Sequence, residues 1–172
     1  HFKEALHWYR EFLISFPAAK ESPTIHYQMA DLLLENRAYE QAAVAYEKTA
    51  YAYPPHEKSA QAGYAAVYAH REHLGVVPSA RKDLVRREVV RSSLKFADTF
   101  PAHDKAAIVM GAAVDDLYGM KEYEEALTNA QKLIGMFPGS DGDVLRAAWL
   151  VIAHSSYELL HYSEAETAYM KV

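Results

Sequence analysis

The sequence predicts an all-α fold, built as an α-solenoid of antiparallel helix hairpins. The first observation is that an aromatic residue precedes proline four times, with prolines 37, 47 and 37 residues apart: Phe16-Pro17, Tyr53-Pro54, Phe100-Pro101 and Phe137-Pro138. A period of this length is typical of repeat arrays. The second is composition, because a hydrophobic fraction of 51% can fill a core, whereas seven Gly and seven Pro in 172 residues are few for a β-rich chain.

Each segment between these prolines is predicted to form two helices, because apolar residues recur there at helical spacing. Ser22-Pro23 should start one of them, with Ser22 as the cap and Pro23 in the first turn. The predicted helix pairs are 22–35 with 39–51, 57–74 with 79–99, 103–118 with 122–136, and 141–160 with a helix from 163 onward.

The predicted helices form a single array over residues 1–172. Its units are 1–17 (partial), 22–54, 56–101 with a longer hairpin, 103–138 and 141–172 (truncated). No boundary between units has the composition of a domain linker. Because the chain both begins and stops within a helical pattern, we expect it to be a fragment of a longer protein.

A recurring signature combines Ala, a large aromatic four residues later and Pro eight residues after that. It occurs as Ala5-Tyr9-Pro17 and Ala42-Tyr46-Pro54, and in part as Ala165-Tyr169 with Trp149 sixteen residues before Ala165. This pattern resembles the tetratricopeptide repeat. The resemblance implies a right-handed superhelix whose first helices line a concave, partner-binding groove. In the long unit, Val89 and Ser93 replace the Ala-aromatic pair.

The unit length and the aromatic-Pro ends are also similar to the repeats of bacterial cell-envelope assembly proteins. That second resemblance implies a periplasmic or envelope location ahead of a cytoplasmic one.

The first resemblance implies a set of groove-facing residues, of which five are tyrosines. They are Tyr27, Gln28, Asp31, Gln61, Tyr64, Tyr68, Arg71, Asp115, Tyr118, His154 and Tyr157. Tyrosine has a rigid ring with a polar tip and is enriched at protein interfaces. The alternative is that most of the 13 tyrosines fill gaps between helices.

A basic segment is the second candidate site. Six Lys and Arg residues lie between Arg81 and Lys95, and Arg87, Arg91 and Lys95 share one helical face. This face could bind an acidic peptide, an anionic surface or nucleic acid, or it could be a solvated surface that attracts the acidic remainder of the array. The overall charge of −5 argues against nucleic acid as the main partner.

Residues with catalytic or metal-binding potential are few. His70 and His73 have a spacing that could hold a divalent ion, but there is no second ligand pair and no cysteine. Asp115 and Asp116 are adjacent on a helix and point in different directions, which is poor geometry for a catalytic pair. Asp141 and Asp143 are better explained as an acidic helix start. We therefore predict no enzyme activity, no metal and no cofactor.

The longest apolar stretch, residues 106–114, is much shorter than the roughly 20 residues that cross a bilayer, so no membrane span is predicted. The predicted function is a scaffold that binds a peptide or partner protein in its groove. The alternative is a structural array that associates with copies of itself through its truncated ends or packs within its parent protein.

Overall fold

A computed structural model describes all residues from His1 to Val172, and the predicted all-α class is confirmed. Its nine α-helices are α1 (Phe2–Ser15), α2 (Ser22–Glu35), α3 (Tyr39–Tyr51), α4 (Ser59–Val76), α5 (Lys82–Thr99), α6 (Ala106–Gly119), α7 (Tyr123–Met136), α8 (Gly142–Glu158) and α9 (Tyr162–Tyr169). A short 3-10 helix, Ser79–Arg81, precedes α5. None of the helices has both the length and the apolar character that a bilayer crossing requires.

The predicted bounds of α2 and α3 are confirmed, but two other predictions need correction. Ser22 is not the cap of α2, since Glu21 occupies that position and the Ser22 hydroxyl donates to the Phe16 carbonyl at 2.5 Å. The predicted helix 79–99 is divided, because the chain is extended at Pro78 and forms the 3-10 turn before α5 begins. The acidic start of α8 is confirmed, since the Asp141 side chain accepts a hydrogen bond from the Asp143 N–H at 2.8 Å.

The helices form two compact units, residues 1–92 (unit 1) and 93–172 (unit 2), with the division inside α5. In unit 1, α2 packs on α1 and α3, and α3 packs on α4. Alanines let these helices approach closely, because Ala42, Ala43, Ala62 and Ala66 are all completely buried. Tyr46 is the largest side chain in this core.

In unit 2, α7 packs on α6 and α8, α8 packs on α9, and α6 also contacts α8. Its interior is mainly apolar, with Met110, Leu117 and Leu133 at or near zero exposure, and it also buries Ser155 and Ser156. The units also differ in charge. Unit 1 carries 12 basic and 11 acidic side chains, a net charge of +1, whereas unit 2 carries 6 basic and 12 acidic side chains, a net charge of −6.

Three of the hairpins turn in the same way. Arg37, Lys121 and Leu160 each follow a first helix with a left-handed φ, of 59°, 64° and 63°. The N–H of the next residue donates to a carbonyl five residues back in every case: Ala38 to Leu33, Glu122 to Leu117 and His161 to Ser156. This is the Schellman helix end. The α4–α5 connection lacks it, since Val77 is extended and Pro78 follows.

Two corners that follow an aromatic-Pro pair use histidine to organise the next helix. His56 donates from Nε2 to the Thr49 carbonyl (2.8 Å), and its Nδ1 accepts from the Lys58 N–H (3.2 Å). His56 therefore connects the end of α3 to the start of α4. His103 makes the corresponding cap for α6, accepting from the Lys105 N–H at 3.1 Å.

Candidate functional site

Most of the exposed residues of the predicted groove in unit 1 lie on α4. Tyr64 and Tyr68 are one helical turn apart, and 37% and 50% of their surfaces are exposed. Gln61 is exposed one turn before Tyr64, and Arg71 is half-buried farther along the helix. Because side chains three and four positions apart share a helical face, α4 presents an aromatic surface with polar groups at both ends.

The groove residues on α2 are largely engaged within unit 1. The Tyr46 hydroxyl donates to Asp31 Oδ1 at 2.5 Å, and the Tyr27 ring lies edge-on to the Tyr46 ring with centroids 5.5 Å apart. Lys58 Nζ lies 5.4 Å from the Tyr27 ring centre, while Gln28 is exposed. Burial and the bond to Asp31 raise the pKa of Tyr46. Tyr27 and Asp31 therefore stabilise the α2–α3 hairpin through their contacts with Tyr46.

In unit 2, the predicted residues Tyr118 and His154 belong to an aromatic cluster. The Tyr118 ring contacts Tyr123 and His154, with centroids 5.6 and 5.9 Å away, and His154 Nδ1 lies 2.8 Å from the Tyr169 hydroxyl. Tyr157 is 56% exposed and packs edge-on against the neighbouring Tyr162. The cluster joins α6, α7, α8 and α9.

A shallow trough separates α6 from α8, with a volume of about 320 Å³. Small and apolar residues form much of it, and Asp115 and Asp143 contribute carboxylates. Burial, with a contribution from Asp116, raises the pKa of Asp115. The trough therefore combines an apolar floor with negative charge.

The middle residue of the basic patch is engaged inside unit 1. Arg91 Nη2 lies 2.9 and 3.1 Å from the two carboxylate oxygens of Glu47, and Arg91 also pairs with Glu88 at 2.9 Å. Arg87 and Lys95 are exposed on the same helix. Arg91 therefore connects α5 to α3 through Glu47.

Glu47 is a structural residue that the sequence analysis missed. His70 Nε2 donates to Glu47 Oε1 at 3.1 Å, so Glu47 accepts hydrogen bonds from both His70 and Arg91. Burial alone would raise the pKa of Glu47, but the hydrogen bonds from His70 and Arg91 outweigh burial and lower it to about 2. His73 faces Glu40 at 4.0 Å. The two candidate metal-binding histidines thus each face a carboxylate of α3, and no group of three or more potential ligands converges on a metal site.

The second missed feature is a cavity of about 640 Å³ in unit 1. It lies where the loop after α1 meets the end of α3, and its walls include Lys20, His26, Lys48 and Tyr53. His26 Nδ1 and the Tyr53 hydroxyl are 2.9 Å apart across a sequence separation of 27 residues. No local pattern in the sequence brings these two loops together.

A comparison with protein-family models gives no match, and a comparison with curated proteins gives no significant match.

Proposed function

We propose that this chain is a non-enzymatic scaffold that binds a segment of a partner protein on the exposed faces of its first helices. The observation that carries the proposal is the α4 surface, where Tyr64 and Tyr68 are exposed side by side while the opposite face of the same helix is buried through Ala62, Ala66 and Ala69. Because its alanine face is buried, the backbone of this helix is fixed, and so are the points from which the two rings project. A partner segment can then bind with little ordering of the receptor.

The same proposal includes the tetratricopeptide-type solenoid. Its support is that α6 packs against both its hairpin partner α7 and the next first helix, α8, as successive first helices do in such arrays. The repeated Schellman turns are a second support, because identical connections give the hairpins of an array similar internal geometry. On this basis, the α6–α8 trough is the groove surface of unit 2, and its two carboxylates favour a basic partner segment.

Binding of peptides selected from a displayed random library tests the proposal. The double variant Tyr64→Ala plus Tyr68→Ala should bind the selected peptides at least about tenfold more weakly, measured by calorimetry, because exposed tyrosines contribute strongly to interfaces. Trp8→Ala is the matched control, since Trp8 is a large aromatic with 65% exposure on α1, a second helix. Helix content should match the wild type in both variants. Equal affinities for all three proteins would remove α4 from the binding surface.

A second candidate function is self-assembly of a structural array. The observation that favours it is the exposure of apolar side chains on the outermost helices of the two units: Trp8 and Ile14 on α1, and Leu160, Tyr162 and Met170 on or beside α9. Sedimentation at increasing protein concentration distinguishes the candidates. A dimer that Ile14→Asp abolishes would favour assembly, whereas a monomer at all concentrations would favour the scaffold.

A further inference from the structure

The cavity of unit 1 has rigid walls. Four prolines line it, from the loop after α1 (Pro17), the first turn of α2 (Pro23) and the segment after α3 (Pro54 and Pro55). Because proline fixes its own φ, these backbone segments have few alternative conformations. Its volume of about 640 Å³ lies within the range typical of small-molecule sites, roughly 300–1,000 Å³.

Polar side chains in the wall are held in place by the fold. His26 is only 5% exposed and is bonded to the Tyr53 hydroxyl at 2.9 Å. His56 is fixed between the Thr49 carbonyl and the Lys58 N–H. Such groups orient a ligand without first having to be ordered themselves.

The cavity is positively charged. Lys20 and Lys48 both line it, and no acidic side chain does. The ion pairs described in unit 1 that involve a permanent cation are those of Arg81, Arg86 and Arg91. The charge of Lys48 affects the wall of the cavity: burial and the Lys48 charge together lower the pKa of His26 to about 4. His26 is therefore neutral at pH 7, and the two lysines dominate the local charge.

We propose that this cavity is a binding site for a small organic anion with a compact apolar body. The anionic group, a carboxylate, sulfonate or phosphate, would lie between Lys20 and Lys48. The apolar body would contact Leu13, Ala52 and the prolines. No residue of α4 lines this cavity, so the proposed anion site and the proposed scaffold function are independent of each other.

The probe for this proposal is anilinonaphthalene sulfonate, an aromatic anion whose fluorescence rises on binding. The uncharged analogue phenylnaphthylamine has nearly the same apolar body without the sulfonate. The wild-type chain should bind the anion with a stoichiometry of one and bind the uncharged analogue at least about tenfold more weakly. Affinity for the anion should fall with added salt, because dissolved ions screen the attraction between the lysines and the anion.

The decisive variant is Lys20→Gln plus Lys48→Gln, which should weaken binding of the anion by at least about tenfold and leave binding of the uncharged analogue within about twofold. Its matched control is Lys3→Gln plus Lys82→Gln, which removes the same charge from exposed lysines of unit 1 outside the cavity. This control should bind both probes like the wild type.

A second variant, Ala18→Trp, places a large side chain in the cavity from an exposed loop position and should abolish binding of both probes while leaving helix content unchanged. Equal binding of the anion by the wild type and the Lys20→Gln/Lys48→Gln variant would overturn the proposal. So would undiminished binding by Ala18→Trp, since the probe would then lie elsewhere on the surface.

Discussion

Units 1 and 2 are both built from helix hairpins, yet they place their polar groups differently. In unit 1, a half-buried carboxylate, Glu47, joins α3 to α4 and α5 through His70 and Arg91. In unit 2, the interior is formed by apolar and small side chains, and the Lys132–Asp98 ion pair lies at the surface with both side chains 44% exposed. The comparison teaches that hairpins of one type can be joined through a partly buried carboxylate, as in unit 1, or mainly through apolar and aromatic packing, as in unit 2.

The difference has an energetic consequence. Apolar packing is insensitive to pH and tolerates side chains of similar volume, whereas a hydrogen-bonded carboxylate requires both its charge and its partners. The stability of unit 1 should therefore fall when a single polar group is removed or when the pH is lowered. The stability of unit 2 should depend mainly on the volume of its buried side chains. Three measurements examine this contrast.

The largest effect is expected from Glu47→Ala. This change removes an acceptor of charge-assisted hydrogen bonds from both His70 and Arg91, and it should lower the free energy of unfolding by about 3 kcal/mol in denaturant titrations. Lys132→Ala is the counterpart in unit 2, and it should cost less than about 1 kcal/mol because its ion pair is exposed. Similar losses for the two variants would contradict the contrast between the units.

The next effect concerns pH. Burial and Lys48 lower the pKa of His26 from 6.5 to about 4, so the unfolded chain binds more protons than the folded chain between these two values. The contribution of neutral His26 to stability is therefore complete above pH 6.5 and is lost as the pH falls toward 4. We expect a loss on the order of 2 kcal/mol across this window.

The variant His26→Gln isolates that effect, since it keeps a polar side chain but cannot titrate. Its free energy of unfolding should vary less between pH 6.5 and pH 4 than that of the wild type. The remaining titratable groups are the same in both proteins, so the difference between the two curves reports His26. Parallel stability curves over this window would show that His26 is not held neutral by the fold.

The smallest effect is expected at the two histidine corners. His56→Asn keeps an acceptor for the Lys58 N–H but loses the bond to the Thr49 carbonyl, and it should cost about 1 kcal/mol. His103→Asn in unit 2 should change stability by less than about half of that amount, because asparagine preserves the cap on Lys105. Thermal unfolding of the two variants measures the difference. A larger loss for His103→Asn would show that its ring packing against Phe96 outweighs the cap.

The predictable part of the fold was local. The periodic apolar residues and the prolines predicted the bounds of α2 and α3 to the residue. The helix-ending turns at Arg37, Lys121 and Leu160 were less visible. Left-handed residues are usually signalled by glycine, and none of these three is glycine.

The candidate sites depend on distant pairs, which limits what the sequence can reveal. Glu47 and Arg91 are 44 residues apart, and His26 and Tyr53 are 27 apart, so no periodicity or motif connects them. Asp31 illustrates the converse, because its helical spacing matched the groove pattern but its carboxylate accepts a hydrogen bond from Tyr46. The exposure of Tyr64 and Tyr68 is easier to predict, because the alanines of α4 recur at helical spacing and mark the opposite face as the buried one.

The left-handed turn residues have a further consequence for engineering. A non-glycine residue in this conformation costs roughly 1–2 kcal/mol, so Arg37, Lys121 and Leu160 each carry a small strain that glycine would relieve. Because the three connections share one hydrogen-bonding pattern, a segment that runs from one turn to another begins and ends with the same backbone geometry. Such segments are natural units for recombination, and duplicating or exchanging a hairpin at these points would leave each junction unchanged.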